Sequence, residues 1–246
     1  MINIKTNQIQ VIHIKDENYP QLLKQIYNPP KEIYVIGNKE ILKEKSIAIV
    51  GCRDATEYGK KAAKYFAYKL AKKGIHIISG LAKGVDSYAH IGAITAQTVD
   101  NYPQTKLSNS KTVKSYPQQL ELSTVGKTIA VFGCGLDTIY PKENIELAKE
   151  IIKTGGTIIS EYPLGTKPEK NNFPQRNRII SGLSQGVLVI EAKEKSGSLI
   201  TADFALEQGK EVYAVPGNIN SLHSVGTNML IKQGAKLVTH YSEIEI

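Results

Sequence analysis

The stretch of the sequence that most suggests chemistry is KNNFPQRNR at residues 170–178, which combines three cations with an aromatic ring. Cations bind phosphate and an aromatic ring stacks on a flat base, so this composition suits a ligand in which phosphates alternate with bases. Phe173 is one of only 4 phenylalanines in the chain. It could stack on a nucleobase with Lys170 on the adjacent phosphate, or it could be the hydrophobic residue that fixes the start of a helix.

Helical geometry separates the two arginines of this stretch. If a helix begins at Pro174 and ends near Ser184, Arg176 lies at the middle of the apolar face, one turn before it. A cation is not expected in a core, so we predict that Arg176 projects over the rim of the sheet and contacts a ligand. Arg178 lies roughly 160° away around the helix. It is either an exposed or salt-bridging residue or a second binding residue, and the sequence leaves both open.

Polar, glycine-containing segments follow the apolar runs of the chain: GCRDATEYG, SGLAKGVD, GCGLDTIYP, EYPLGTKPEKNNFPQRNR and KEKSGSLIT. In an open parallel sheet, the loops at the carboxyl ends of the strands lie together at one edge and bind the ligand. Glycines allow close approach of the backbone, and free N–H groups at helix starts attract anions. Arg53, Lys83, Lys170 and Arg176 add positive charge to these segments. The sequence therefore predicts a phosphate-binding edge.

Motifs for catalysis, metals and cofactors are missing from the sequence. It has no P-loop, no G-x-G-x-x-G followed by an acidic residue, no G-x-S-x-G, no cluster of carboxylates and no Cys/His ligand spacing. Asp86 and His90 form an i, i+4 pair, but a helix-start aspartate beside a packed histidine explains them more simply than catalysis. We therefore predict a binding site without catalytic residues, without metal and without cofactor.

The elements that must position these residues alternate short β-branched runs with longer helical patterns. The runs are apolar throughout, which is typical of parallel strands buried on both faces. Predicted strands occupy residues 46–51, 76–80, 128–133, 157–160, 186–192 and 211–217, and predicted helices occupy 57–74, 84–96, 141–156, 174–184 and 198–209. On the first helix, Ala63, Phe66, Ala67 and Leu70 form the expected buried face. The pattern predicts an extended Rossmann-like, doubly wound α/β fold with a mostly parallel sheet and helices on both faces.

Two segments depart from this rhythm. Residues 1–44 contain a short apolar piece, EIYVIG, and are predicted to be a small N-terminal extension that packs on the core domain of residues 45–246. Residues 97–126 are polar and rich in Ser, Thr and Gln, which predicts a surface insertion within that domain. The sequence suggests no role for this insertion.

Bulk composition restricts the class of partner and the location. Lys and Arg exceed Asp and Glu by 31 − 23 = 8, which fits a polyanionic partner but also fits a merely solvated lysine-rich surface. Cys52 and Cys134 lie in no metal or redox motif, so we predict two buried, reduced thiols. Because no apolar run reaches 18 residues, we expect a cytoplasmic protein that does not span a membrane.

Taken together, the motifs resemble those of the DNA-processing protein A family (DprA, also called Smf). The resemblance rests on IAIVGCRDATEYG, SGLAKGVDSYAH, TIAVFGCGLDTIYPKEN, NNFPQRNRIISGLSQGVLVIEA, KSGSLITADFALEQGKEVYAVPG and GTNMLIKQGA, which occur in the family's order and spacing over about residues 19–238. It implies a homodimer that binds and protects single-stranded DNA without enzymatic activity. It also implies loading of a RecA-type recombinase onto incoming strands during natural transformation.

The resemblance also assigns residues to DNA. Arg53 matches the arginine of the family's G-S-R signature, where Cys52 replaces the serine. Lys170 and Phe173 match a phosphate-binding lysine and a base-stacking aromatic. With the arginines of the RNR motif and the glycine turns, the predicted DNA-binding residues are Gly51, Arg53, Ser79, Gly80, Lys83, Gly84, Lys170, Phe173, Arg176, Arg178, Gly197 and Ser198. Many members also carry a helical domain before this core and a winged-helix-like domain after it. The sequence matches neither, so the functions of those domains, duplex contact included, are not expected here.

Two other interpretations remain open. Nucleoside-monophosphate phosphoribohydrolases of the LOG type share this fold, but they carry PGG-x-GT-x-x-E where this chain has KSGSLITADFALE. Here the glycine pair is broken and the acidic residue is displaced to Asp203 or Glu207, so the catalytic pattern is not met. Alternatively, the main function is a partner or dimer surface, with candidate apolar residues on the last helix at Met229, Leu230 and Ile231.

Overall fold

A computed structural model describes residues 9–98 and 125–246. Its strands are β1 (Gln10–His13), β2 (Glu32–Gly37), β3 (Ser46–Gly51), β4 (His76–Ser79), β5 (Thr128–Phe132), β6 (Thr157–Ser160), β7 (Gly186–Ile190), β8 (Glu211–Ala214) and β9 (Lys236–Leu237). Its helices are α1 (Gln21–Lys24), α2 (Glu57–Lys72), α3 (Val85–Thr98), α4 (Ile145–Lys153), α5 (Asn172–Leu183), α6 (Gly197–Glu207) and α7 (Val225–Lys232). Short 3₁₀ segments occupy Lys39–Lys43, Lys142–Asn144, Leu222–Ser224 and Tyr241–Glu243.

The strands form one sheet in the order β1-β2-β6-β5-β4-β3-β7-β8-β9. All pairs from β6 to β9 along this order are parallel, and only β1 and β2 add antiparallel pairs. From β3 the chain first builds β4, β5 and β6 on one side and then β7, β8 and β9 on the other. The topological switch point therefore lies between β3 and β7, and the predicted doubly wound, mostly parallel fold is confirmed.

Helices cover both faces because successive side chains of each strand point to opposite faces. Ile47 and Ile49 of β3 pack in the cluster that contains the buried faces of α2 and α3. Ala48 and Val50 pack in the cluster with α5 and α6. The predicted buried face of α2 is found as expected, and Thr56 caps this helix by accepting a hydrogen bond from the Gly59 N–H at 3.2 Å.

The structure describes most of one of the two segments that depart from the strand–helix alternation and little of the other. In the predicted extension of residues 1–44, β2 pairs with β6 and β1 pairs with β2, so this segment contributes two strands to the same sheet. The predicted insertion at 97–126 begins inside α3, whose last residue is Thr98, and residues 99–124 lie outside the described residues. In the described part of the chain, no helix has the length and apolar character needed to cross a membrane.

Candidate nucleic-acid interface

Phe173 lies at the centre of the predicted edge, in the first turn of α5. Helix α5 begins at Asn172, two residues earlier than predicted, and the ring of Phe173 is half-buried. It rests on the end of β5, since a Cβ atom at Gly133 would lie only 2.9 Å from its Cδ1. The ring of Tyr140, an exposed side chain in the loop after β5, lies 5.3 Å from it, centroid to centroid, with a tilt of 38°. The two rings therefore form an aromatic surface over the carboxyl end of β5.

Arg53 supplies a cation to this surface from the loop after β3. Its side chain is exposed, and its Cζ lies 5.8 Å from the centroid of the Phe173 ring. We call Arg53, Tyr140 and Phe173 the rim cluster. An exposed guanidinium beside aromatic faces can bind a phosphate and stack the neighbouring base.

Arg176 does not project over the rim as predicted. Its side chain is buried, with 4% relative exposure, and its Nη1 donates hydrogen bonds to the carbonyl of Gly80 at 2.9 Å and to that of Val131. Main-chain carbonyls near the ends of β4 and β5 accept these bonds, which is why a cation is tolerated in the interior. Burial lowers the pKa of Arg176 to about 10, so it stays protonated at neutral pH. The predicted direct contact with a ligand is corrected: Arg176 fixes α5 to two strand ends.

Asp86 is the buried anion beside Arg176. It accepts hydrogen bonds from the N–H groups of Gly80 at 3.1 Å and Ala82 at 3.4 Å. A Cβ atom at Gly80 would lie 2.6 Å from Nη2 of Arg176 and 2.9 Å from Oδ2 of Asp86, so both side chains close over this glycine. Burial raises the pKa of Asp86 and the charge of Arg176 opposes that rise. The pair is therefore part of the interior that supports the rim.

His90 does not act together with Asp86. Its Nδ1 lies 2.7 Å from the Thr128 hydroxyl, which itself donates to the carbonyl of Ile77 at 2.9 Å. The hydroxyl must accept from His90, which assigns the proton to Nδ1. Burial, followed by the charge of Arg176, lowers the pKa of His90 to about 3, so the ring is neutral. The packed interpretation of His90 agrees with this geometry.

Arg178 forms a salt bridge, which was one of the two alternatives that the sequence left open. Its guanidinium donates to both carboxylate oxygens of Glu161, at 2.8 and 2.6 Å, and to the carbonyl of Asn28 at 3.2 Å. Both side chains are largely buried, at 9% and 15% relative exposure. Arg178 therefore connects α5 to the loop after β6 and to the N-terminal segment, and it is not free to bind DNA in this conformation.

Ser79 and the nearby glycines position the loops and do not present side chains. Ser79 is fully buried and its hydroxyl donates to the carbonyl of Ile49 at 2.7 Å, so its side chain is held in the interior and its predicted role in DNA binding stays a prediction. Gly84 has a φ of +74°, and a Cβ atom there would lie 2.3 Å from the carbonyl oxygen of Cys52. Gly51 packs in the same way on the carbonyl of Ile190. These contacts hold the loops after β3, β4 and β7 against one another.

The remaining predicted residues lie at the surface or at a helix start. Lys83 and Lys170 are both exposed, and Lys83 forms a surface ion pair with Glu143. Gly197 begins α6 with open space around it, and its carbonyl accepts a hydrogen bond from Asn177 of α5 at 3.2 Å. Ser198 is buried at 7% relative exposure, and its hydroxyl lies 2.8 Å from that of Ser196.

Tyr140 and Glu191 were not predicted from the sequence. Glu191 follows β7 with a φ of +53°; its carboxylate accepts hydrogen bonds from the Thr56 N–H at 2.8 Å and from the Thr56 hydroxyl. Its carbonyl accepts from the Cys52 N–H at 2.8 Å, so Glu191 holds both ends of the loop that carries Arg53. The sequence offered one signal for each residue. Glu191 is a carboxylate directly after five apolar strand residues, and Tyr140 is an aromatic residue after a glycine-rich turn.

Both cysteines are free and buried beside these loops, in agreement with the predicted reduced thiols. Burial raises the pKa of Cys52, and it raises the pKa of Cys134 to about 11. Among the described residues, no group of three or more His, Cys, Asp or Glu could hold a metal ion.

The acidic residues of the LOG-type alternative lie away from the glycine turn. Asp203 and Glu207 are exposed on α6, and Glu207 is the last residue of that helix. Glu207 lies ten positions after Gly197 along the helix, a rise of about 15 Å. Glu207 therefore does not place a carboxylate at the glycine turn that begins α6.

Comparisons with known proteins agree with the motifs. A family model described as DNA recombination-mediator protein A matches residues 10–103 and 111–245. DNA processing protein DprA of Bacillus subtilis is 41% identical over 237 residues, which cover 96% of this chain and 70% of that relative. The X-ray structure of DNA processing protein A from Streptococcus pneumoniae superposes with a TM-score of 0.80 at 38% identity, over 97% of this chain and 75% of that one.

A second solved structure is DNA processing protein A from Helicobacter pylori, described for its single-stranded DNA binding mode. It superposes with a TM-score of 0.76 at 31% identity, over 96% of this chain and 93% of that one. The two segments matched by the family model include all nine strands and the loops at the carboxyl ends of the parallel strands. On this basis the chain belongs to the DNA recombination-mediator protein A family, which includes the proteins called DprA and Smf.

Proposed function

We propose that this chain binds single-stranded DNA along the edge formed by the carboxyl ends of β3, β4 and β5. The observation that carries the proposal is the rim cluster, in which the exposed guanidinium of Arg53 lies 5.8 Å from the half-buried ring of Phe173. Arg53 binds a phosphate while Phe173 and Tyr140 offer faces to a base. Lys83, Lys170 and the turn at Gly197 extend the positive and N–H-rich surface for the adjoining phosphates.

The rings favour a single strand over a duplex. A base can stack on Phe173 only when its own face is unpaired and accessible, which a single strand provides and a duplex does not. Because every base has a flat face, stacking tolerates different sequences. Binding through phosphates makes the affinity depend on salt.

The wider role we propose is that of a recombination mediator without enzymatic activity. It would protect incoming single strands and load a RecA-type recombinase onto them during natural transformation, acting as a homodimer. Family membership supports this role, as does the single-stranded DNA binding described for the Helicobacter pylori relative. Of the three apolar residues of α7 considered for a dimer surface, Met229 is exposed, Ile231 is half-buried, and Leu230 belongs to the core at 4% relative exposure.

Fluorescence anisotropy with a labelled 20-nucleotide oligo(dT) and a matched duplex, across a salt series, tests the binding. We expect a clear preference for the single strand. Arg53→Ala should weaken binding about tenfold or more and lower the salt slope by about 1, because one phosphate contact is lost. Phe173→Ala should weaken binding by about 1–3 kcal/mol without changing the salt slope, because only stacking is lost.

Lys153→Ala is the matched control, because it removes one exposed cation at the end of α4, where Lys153 pairs with Glu150. Its affinity should equal that of the unmodified protein. Equal binding of single strand and duplex, or unmodified binding by both rim variants, would overturn the proposal. Recombinase filament formation on DNA covered by single-strand-binding protein is the corresponding test of the mediator step.

A further inference from the structure

A cleft lies next to the Arg53 loop, at the topological switch point between β3 and β7. Its volume is about 470 Å³, and it is lined by Thr56, Tyr58, Glu191, Pro216, Gly217, Asn218, Ser221 and Ser224. These residues come from the start of α2, the end of β7 and the loop after β8. Doubly wound sheets bind ligands in the crevice at this point, and the volume falls in the range of ligand pockets, about 300–1,000 Å³.

Hydrogen bonds and close packing hold the walls of the cleft in place. The N–H of Gly217 donates to Asn228 Oδ1 at 3.1 Å, and the carbonyl of Gly217 accepts from Asn228 Nδ2 at 3.1 Å. A Cβ atom on Gly217 would lie 2.0 Å from the hydroxyl of Ser224, so the loop packs tightly at that point. Elsewhere in the lining, the two hydrogen bonds from Thr56 hold the carboxylate of Glu191.

The chemistry of the lining favours a neutral ligand that donates hydrogen bonds. Glu191 is a lining carboxylate, and no lysine or arginine is among the lining residues, so the cleft disfavours a phosphate. Gly59 packs against Oε2 of Glu191, which accepts from the Thr56 N–H, whereas Oε1 accepts from the Thr56 hydroxyl and keeps a further acceptor position. The exocyclic amino group of cytosine or adenine is such a donor, and carboxylates accept from it in base recognition. Tyr58 adds a flat, partly exposed ring, and Ser221 adds a hydroxyl.

The cleft is within reach of a strand bound at the rim. Thr56 lies three residues after Arg53 on the loop that Glu191 holds at both ends, so the two are separated by at most about 11 Å of chain. We propose that this cleft receives the base of one nucleotide of the bound strand and favours bases that carry an exocyclic amino group. The inference rests on the proposed single-strand binding and adds to it one position at which the base type matters.

The test compares 20-nucleotide oligo(dC) with oligo(dT) at pH 8, because the two pyrimidines differ at C4, where an amino group replaces a carbonyl. We expect the unmodified protein to bind oligo(dC) about tenfold more tightly. Glu191→Gln should reduce this ratio to about 1, because an amide donates to the carbonyl of thymine as readily as it accepts from the amino group of cytosine. The ratio of the two affinities is the readout for this variant, because Glu191 also holds the Arg53 loop and a displaced loop would weaken the binding of both oligonucleotides alike.

Ser221→Leu is the second variant, because Ser221 lines the cleft from the loop after β8, whereas the Arg53 loop is held by Glu191. It should remove the preference for oligo(dC) and leave oligo(dT) binding unchanged. Deoxycytidine alone should bind more than about a hundredfold more weakly than oligo(dC). A nucleoside that binds as tightly as the oligonucleotide would assign the cleft to a free ligand and overturn the inference.

The outcomes separate this inference from the proposed function. Equal affinities for oligo(dC) and oligo(dT), with binding still dependent on Phe173, would overturn the base preference and leave single-strand binding intact. A preference that persists in both Glu191→Gln and Ser221→Leu would place the discrimination elsewhere and overturn it as well. Failure to bind either oligonucleotide would overturn the proposed function itself.

Discussion

Two arginines lie at nearly the same distance from one ring and have different roles. The Cζ atoms of Arg53 and Arg176 are 5.8 and 5.9 Å from the centroid of Phe173. Arg53 is exposed and its charge faces solvent, whereas Arg176 is buried between the carbonyls of Gly80 and Val131. The first can exchange water for a phosphate, and the second can leave its position only if the interior opens.

This difference predicts that one alanine variant lowers the stability of the protein and that the other weakens DNA binding. Arg176→Ala should lower the free energy of unfolding by about 3–5 kcal/mol, because it leaves Asp86 and the two carbonyls buried without their cation. Arg53→Ala should change that free energy by no more than about 0.5 kcal/mol while weakening DNA binding. Urea denaturation followed by circular dichroism measures the first quantity. An Arg176→Ala protein that is fully stable but fails to bind DNA would instead make Arg176 a ligand contact.

At the scale of elements, the site is an assembly of strand-end loops held together by backbone contacts. The loop after β4 meets the loop after β3 where the Val85 N–H donates to the carbonyl of Cys52 at 3.1 Å. Gly84 allows this approach through its φ of +74°. Gly197, at the start of α6, has no such restriction, since its Cβ position is open.

The two glycines therefore predict a contrast between matched substitutions. Gly84→Ala should lower the free energy of unfolding by at least about 1–3 kcal/mol and weaken DNA binding, because the strained turn displaces the Arg53 loop. Gly197→Ala should leave unfolding within about 0.5 kcal/mol. If a DNA phosphate approaches the backbone at this position, the added methyl group of Gly197→Ala should weaken DNA binding without lowering stability. Thermal unfolding and anisotropy on the same samples compare the two effects, and equal stability of both variants would contradict the account of Gly84.

The strands and helices were predictable because the parallel strands are continuously apolar and the helices have a clear buried face. Tertiary contacts were not predictable from these patterns. The angular position of Arg176 on α5 was correct, but nothing local indicates that carbonyls from β4 and β5 meet it there. The pairing of β2 with β6 joins segments more than 100 residues apart, so the role of EIYVIG in the sheet was equally hidden. Tyr140 approaches Phe173 only when the loop after β5 folds back on α5.

At the scale of the whole molecule, the buried His90 links stability to pH. Its folded-state pKa of about 3 lies below the ordinary value of 6.5, so between these values the unfolded chain binds a proton that the folded chain does not. The stabilisation is complete above pH 6.5 and is lost as the pH falls toward 3, at up to about 1.4 kcal/mol per pH unit. Asp86, whose pKa is raised by burial, acts in the opposite direction.

We therefore predict a flatter pH dependence for His90→Gln than for the unmodified protein. Urea unfolding of both proteins, at pH values about one unit apart between about 7.5 and 4.5, gives the free energy of unfolding against pH. The slopes of the two curves are then compared. Both proteins retain Asp86, so the difference between the slopes isolates His90. Parallel slopes would show that His90 is not the titrating group.

The two cysteines have a consequence for how the molecule can be followed in solution. The thiolate is the species that alkylating and oxidising reagents attack, and both sulfurs are buried with a raised pKa. Cys52 adjoins Arg53, and the Cys134 thiol donates to the carbonyl of Thr138 at 3.2 Å. Both thiols beside the rim therefore react slowly with such reagents while the loops are closed. A cysteine introduced at an exposed position would therefore be the fastest-reacting thiol of the chain, and a fluorophore could be attached there without altering the native sequence around the rim.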